Sequence, residues 1–587
     1  MFNKLKLFAL IPLLLLSSAC VFEQTNSQVA REDREPEATT GFIQNTAVVG
    51  SKYMVAAANP YASNTGFNIL EKGGNAIDAA IAVQLVLTLV EPQSSGIGGG
   101  AFILHFDNAT KNLSTFDGRE VAPEAATQDL FLNPDGTAVR WIDAVVGGRS
   151  VGVPGVLKAL EDAHKKHGKL PWAELFTDAI KLAEDGFIVS PRMAKLVAMG
   201  FNPGVKRLTK ASHYFFPNGV PIKPGSLLKN PELAKVYKAI SKQGTKVFYH
   251  GWIAQSMVKA VQNSAIAPGR LVLTDLASYR ATEVDAVCGS YKQFNVCGMP
   301  PPSSGGIAVI QLLKQLEQHN LKKFSANDVN ALHLFSQSSR LAYADRARYI
   351  ADPDFVQVPV ASLLDNQYLQ QRGQLINLRQ DMGKAVAGEF SHVARLAVDN
   401  AIEMPSTSHI AIVDSEGNAI SMTSSIEMAF GSAVFVEGFL LNNQLTDFSL
   451  TPVVDGIPVA NRLEPFKRPR SSMAPTMVFN QDGSLRLVIG SPGGSRIINY
   501  VAQTLIAVLD WQLDIQSAIN LPKITNRNDI TTLEKGTNLE TLKSQLEAMG
   551  HNVAIRDLNS GIHGIEVYRG KLVGGADPRR EGKVFAN

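Results

Sequence analysis

Thr407 opens an alternating apolar stretch, Ser406-Thr407-Ser408-His409-Ile410-Ala411-Ile412-Val413. Ile410 and Ile412 precede the turn Asp414-Ser415-Glu416-Gly417-Asn418, and Ile420 follows it, a pattern that predicts a β-hairpin. In most chains a threonine so placed is only a strand residue. It becomes a nucleophile when the chain is cut just before it, because the freed α-amine then sits beside its own hydroxyl and can take the proton. An unperturbed α-amine titrates near 7.7–8.0, close to where a general base works best. An oxyanion formed by such an attack needs N–H donors. Gly493-Gly494, between a predicted strand at Leu485–Ile489 and a predicted helix, can aim two of them at one point without a Cβ in the way. The same pair also suits a plain strand-to-helix turn.

Other motifs surround this core in order. Glu91-Pro92-Gln93-Ser94-Ser95-Gly96-Ile97-Gly98-Gly99-Gly100 and Asp117-Gly118-Arg119-Glu120 come early. Pro300-Pro301-Pro302-Ser303-Ser304-Gly305-Gly306, Ala344-Asp345-Arg346 and Asp352-Pro353-Asp354-Phe355 follow. Beyond Thr407 stand Asn442-Asn443-Gln444-Leu445-Thr446-Asp447 and Lys467-Arg468-Pro469-Arg470-Ser471-Ser472. From about residue 46 to residue 582 the chain resembles the γ-glutamyltransferases (γ-glutamyl transpeptidases), self-cleaving N-terminal-nucleophile hydrolases.

The resemblance implies an α+β fold, a four-layer αββα sandwich formed jointly by two fragments of one chain. It implies scission between Ser406 and Thr407, giving a large subunit, 46–406, and a small subunit, 407–587, intertwined as one domain. It carries over Thr407 as nucleophile, Ser425 as its supporting hydroxyl, and Gly493 and Gly494 as the oxyanion hole. The substrate α-carboxylate falls to Arg119, Ser471 and Ser472, and the α-ammonium to Asp447 with Gln444. Arg119 suits its part because a guanidinium fork matches a carboxylate bidentately. Glutathione is the family's usual donor, with water or an amine as acceptor.

Two positions depart from the transpeptidase pattern. Ser425 replaces a threonine, keeping the hydroxyl, and Glu427 stands where the well-studied members carry asparagine, adding a carboxylate beside the ammonium pocket. The segment from Ser449 to Pro469 is short for a covering loop, so a more open site that favours water is expected. Glutaryl-cephalosporin acylases share the nucleophile, the glycines and the arginine, but need no ammonium clamp; Asp447 and Gln444 favour a γ-glutamyl donor. A non-catalytic surface lipoprotein is the remaining alternative, disfavoured by the intact flanks of Thr407.

Composition narrows the class further. The 45% hydrophobic content supports a sizeable core, and 56 basic against 53 acidic residues give no basic excess for nucleic acid. Basic pairs such as Lys467-Arg468 read as solvated faces or local salt bridges. Ser226-Leu227-Leu228-Lys229 matches a serine acyl-enzyme motif, but its Lys-Thr-Gly partner is missing. The Gly96–Gly100 run fits neither nucleotide-binding pattern, and the 11 histidines and 3 cysteines show no metal spacing, so no cofactor is expected.

The first 20 residues read as a secretory signal: Lys4 and Lys6, an apolar run from Leu7 to Leu16, then Ser17-Ser18-Ala19-Cys20. Either a lipoprotein box lipidates Cys20, anchoring the enzyme in the bacterial periplasm, or cleavage falls near Ala19. Residues 21–45 read as a disordered tether. Cys288 and Cys297 flank a predicted hairpin turning at Lys292-Gln293, which suits a disulfide or two free buried thiols. Asn75 is predicted to cap a buried helix through Leu89, and helices are expected at Ala62–Glu71, Trp172–Glu184 and Val329–Arg348.

Overall fold

The computed structural model describes Thr39 and residues 41–587. Cys20, the predicted signal and most of the predicted tether lie outside the described residues. The end of that tether differs from expectation: residues 41–45 take no helix or strand, yet they are tied to the body. Ile43 N–H donates to the Pro578 carbonyl (3.2 Å) and the Asn45 amide to the Ala576 carbonyl (3.1 Å).

Two seven-stranded sheets face each other between helices. In one, the strands run Lys583–Ala586, Met54–Ala57, Ser408–Val413, Ala419–Ser425, Gly100–Asp107, Asn112–Gly118 and Thr282–Val284, in that spatial order. The other runs Val48–Gly50, Lys571–Ala576, His563–Tyr568, Leu485–Gly490, Thr476–Phe479, Phe294–Gly298 and Val287–Tyr291. All paired neighbours in both are antiparallel.

Alternation explains the layering. Val55, Ala57, Ile103, Ile410, Ile412 and Ile420 join a core with the helices at Pro60–Glu71 and Ala76–Val90. The intervening Met54, Ala56, Leu104, Ala411 and Val413 join the core between the sheets, with Met477, Val488 and Ile565. Both faces of the Thr407 strand are therefore covered, and every residue from Ser408 to Val413 is buried. This αββα sandwich is the fold that the family resemblance implies.

Local signals place the helices. Asn75 forms a capping box with Asp78 at the head of Ala76–Val90, a helix buried all round. The stretch from Trp172 is tighter than expected, a 3₁₀ turn to Phe176 before the α-helix Thr177–Asp185. Asp414 holds the nucleophile hairpin by accepting from the Glu416 and Asn418 N–H groups (3.0 and 2.9 Å), with Gly417 at φ +81°. At the second hairpin Cys288 pairs with Cys297, and their sulfurs are bonded, 2.09 Å apart. Lys292 takes the left-handed turn position at φ +53°. Tertiary contacts offset what glycine would have supplied there: its N–H donates to Glu317 (2.5 Å) and its ammonium pairs with Asp510.

Of the two readings of the basic pair Lys467-Arg468, the structure shows salt bridges and not a solvated face. Lys467 is fully buried, donating to the Ala460 carbonyl (2.9 Å) and Glu464 (2.8 Å), and Arg468 lies 3.6 Å from Asp117. Lys467 is thus paired locally, while the partner of Arg468 comes from far along the chain. Among the described residues no helix is long and apolar enough to cross a membrane.

Candidate active site

Strand register brings the predicted nucleophile and its predicted helper together. Ser408 pairs with Ser424, which sets Thr407 beside Ser425 at the head of the hairpin. The chain is uncut here. The Thr407 hydroxyl lies against the Ser406 carbonyl oxygen, and the Ser425 hydroxyl donates to that same oxygen at 3.0 Å. Ser425 is aimed by the Glu427 N–H, which donates to its Oγ at 2.9 Å. The Ser406 hydroxyl donates to the Gln93 carbonyl (2.8 Å), so the Glu91–Gly100 motif fixes the residue before the bond.

A cavity of ≈ 30 Å³ opens at this point. It is lined by ten of the residues predicted for the site: Arg119, Ser406, Thr407, Ser425, Glu427, Gln444, Asp447, Ser471, Ser472 and Gly494. Gly493 does not line it. Its φ of +136° makes the turn, with the Tyr500 ring where a Cβ would stand (2.7 Å). Gly494, at φ +56°, faces the chain before the scissile bond, since a Cβ there would come within 2.6 Å of the Met404 carbonyl oxygen. No residue between Ser449 and Pro469 lines the cavity. The disulfide hairpin, on the edge of the other sheet, contributes nothing to it.

The two predicted substrate ions are paired with each other. Arg119 donates to Asp447 at 2.5 Å, to the Arg470 carbonyl at 2.8 Å and, from Nε, to the Pro469 carbonyl at 3.1 Å. Gln444 donates to the same Asp447 oxygen at 3.0 Å. Burial, opposed by Arg119 and helped by the negative Glu403, raises the Asp447 carboxyl to about 6. Burial pushes Glu120 up to about 8 against the pull of Arg119.

Glu427 behaves differently from the charged group expected at that position. It is 4% exposed, receives a hydrogen bond from the Asn443 amide, and has its other oxygen unpaired. Burial, then the neighbouring Asp447, push its carboxyl well above the usual range, so the neutral form is favoured in the uncut chain. Its backbone is left-handed, φ +76°, an unusual conformation for such a residue and one that concentrates at functional sites.

Three participants had no assigned role in the sequence. Glu403, four residues before Thr407, lies in the cavity wall. It pairs with Arg346, Arg470 (3.1 Å) and the Ser472 hydroxyl (2.5 Å). Arg346 sat in plain view in Ala344-Asp345-Arg346, but only the folded helix Val329–Tyr349 aims it here. The Pro300–Gly306 motif supports this corner: Ser304 donates to the Ser471 carbonyl (2.7 Å) and receives from Arg346 (2.8 Å).

Two facing sheets covered by helices, with a buried threonine at the head of a central strand, have the architecture of the N-terminal-nucleophile hydrolases. A sequence profile described as Gamma-glutamyltranspeptidase matches residues 62–587. The chain is 39% identical over 551 residues to a Bacillus subtilis (strain 168) glutathione hydrolase proenzyme, covering 92% of each. It is 36% identical over 540 residues to the glutathione hydrolase proenzyme of Escherichia coli (strain K12), covering 90% of each. Among solved structures, a cephalosporin acylase from Bacillus halodurans superposes with a TM-score of 0.81 at 26% identity, over 93% of this chain and 97% of that one. The chain belongs to the gamma-glutamyltranspeptidase family, and it is an enzyme.

Proposed function

We propose that the chain cuts itself between Ser406 and Thr407 and then cleaves γ-glutamyl amides such as glutathione through an ester on Thr407. The observation that carries this reading is the double contact on the Ser406 carbonyl oxygen, from the Thr407 and Ser425 hydroxyls. Thr407 Oγ attacks the Ser406 carbonyl carbon. The C–N bond breaks as the nitrogen takes a proton, leaving Ser406 esterified to Thr407. Water hydrolyses the ester, giving a Ser406 carboxylate, a free hydroxyl and a free Thr407 amine.

In turnover the amine accepts the hydroxyl proton while Oγ attacks the γ-carbonyl, and returns it to the departing amine. Gly493 and Gly494 supply N–H groups to the oxyanion. Arg119, Ser471 and Ser472 take the α-carboxylate and Asp447 with Gln444 the α-ammonium. Water is the favoured acceptor, because no lining residue comes from the segment that would cover the site. The two parts, 46–406 and 407–587, stay associated as one domain.

N-terminal sequencing of the smaller fragment tests the first step, with Thr at its first cycle expected. Thr407→Ala should abolish both scission and γ-glutamyl anilide turnover; retention of either overturns the proposal. The acylase reading is favoured less, because Gln444 and Asp447 are poised for an ammonium. A rate with glutaryl anilide above that with γ-glutamyl anilide would reverse the preference. Export with a lipid on Cys20 is proposed from residues 1–20 alone, and the mass of the mature N-terminal peptide decides it.

A further inference from the structure

Glu403 is a buried carboxylate held as a ligand would be. Ser472 donates to one oxygen (2.5 Å), while Arg346 and Arg470 (3.1 Å) share the other. Arg346 also donates to Ser472 itself (2.6 Å), so cations and hydroxyl form one cradle. Burial works against the charge, yet the two guanidinium groups hold the Glu403 carboxyl at about 2. The ion remains charged throughout the working range.

This carboxylate rides on the segment that must move. Met404, one residue on, lies over Gly494, and the ≈ 30 Å³ cavity beside Thr407, walled by Glu403, Met404 and Ser406, has room for about two waters. A γ-glutamyl group cannot enter until residues 403–406 withdraw. Withdrawal takes Glu403 with it, leaving Arg470 with Asp399 (2.8 Å) but Arg346 with no other carboxylate in salt-bridge contact among the described residues. A buried cation stripped of its partner is costly, and a replacement carboxylate removes that cost.

We propose that Arg346, Arg470 and Ser472 form a carboxylate seat, which Glu403 plugs before scission and the α-carboxylate of the γ-glutamyl donor fills afterwards. The inference rests on the γ-glutamyl reading above and adds two cations and an internal competitor to it. The plug stays tethered to the large fragment after the cut, so it competes with donor at a high effective concentration. Seat and plug then have opposite signatures, which a general loss of stability does not produce.

The test uses cleaved enzyme, with scission confirmed by the two fragments on a gel. Glu403→Gln is expected to lower KM for γ-glutamyl-p-nitroanilide several-fold, and Arg346→Lys to raise it at least tenfold. Ser472→Ala, raising KM alone, serves if Arg346→Lys fails to mature. Calorimetric binding of L-glutamate, which needs no turnover, should tighten in Glu403→Gln and weaken in Arg346→Lys. A rise or no change in KM for Glu403→Gln, or equal L-glutamate affinity in all three proteins, overturns the seat. Wild-type enzyme that is cleaved, binds L-glutamate and yet turns over no anilide would instead sink the parent functional reading, with the affinity order still judging the seat.

Discussion

Replacing Ser425 by alanine isolates the donor on the scissile carbonyl. In the uncut chain the Ser425 hydroxyl lies 3.0 Å from the Ser406 oxygen, where negative charge would collect in the proposed attack by Thr407. It is buried, so water does not take over the lost hydrogen bond. Removing one donor of this kind costs about 10²–10³ in rate, roughly 2.7–4 kcal/mol of transition-state stabilisation. The Glu427 N–H, which donates to Ser425 at 2.9 Å, is orphaned as well, adding about 1–3 kcal/mol of instability to the folded chain. Scission followed by gel from freshly refolded full-length chain should therefore slow about 100-fold or more in Ser425→Ala. Ser425→Thr, which restores the hydroxyl, should return to within a few-fold of the native rate. The melting temperature of each uncut chain separates lost stability from lost chemistry. Scission of the folded alanine variant within threefold of the native rate would refute the donor role.

Asp447 should give the acid limb of donor binding. Its carboxyl is raised to about 6, so acidification through that range neutralises it while the donor ammonium stays charged. KM should climb about tenfold per unit below this limb for a one-proton loss. Asp447→Asn should raise KM at all pH values and flatten the limb; a profile unchanged by the substitution counts against the clamp. Glu427→Asn removes a carboxyl that favours its neutral form and keeps a group able to bond Asn443, so its KM effect should be under threefold, read with γ-glutamyl-p-nitroanilide. A loss beyond tenfold would mean that ionised Glu427 holds the substrate. Cys288→Ser opens a bridge spanning nine residues and should lower stability by about 2–3 kcal/mol, measured by denaturant unfolding, with kcat unaffected because the hairpin lies outside the site.

Much of the site was legible because its residues sit in short local motifs. The Asp414 turn, the Asn75 cap and the diglycine turn each announce themselves within a few residues. Glu403 did not, because a lone glutamate in a stretch of irregular chain carries no local signal; its meaning comes from Arg346 and Arg470, 57 and 67 residues away. Lys467 shows the opposite case: its ion pair with Glu464, three residues back, is local, whereas its burial is a property of the folded chain. Charge state was the least visible property. A second acidic residue reads as added negative charge, yet burial and the neighbouring Asp447 drive Glu427 towards its neutral form.

The strand order also explains how a cut beside the central strand can leave the sandwich whole. The nucleophile strand Ser408–Val413 is paired on one side with Met54–Ala57, from before the cut, and on the other with Ala419–Ser425, from after it. Ala419–Ser425 pairs in turn with Gly100–Asp107, so strands from the two sides of the bond interleave. The C-terminal strand Lys583–Ala586 closes against Met54–Ala57. Breaking Ser406–Thr407 removes one covalent bond and none of these ladders. Separating the pieces would expose both faces of the sheet and its unpaired backbone groups together, which amounts to unfolding. The freedom released by scission is thus confined to the few residues ending at Ser406, where Glu403 and Met404 occupy the site. On the proposed scheme the ladders would hold the frame while the segment ending at Ser406 is freed.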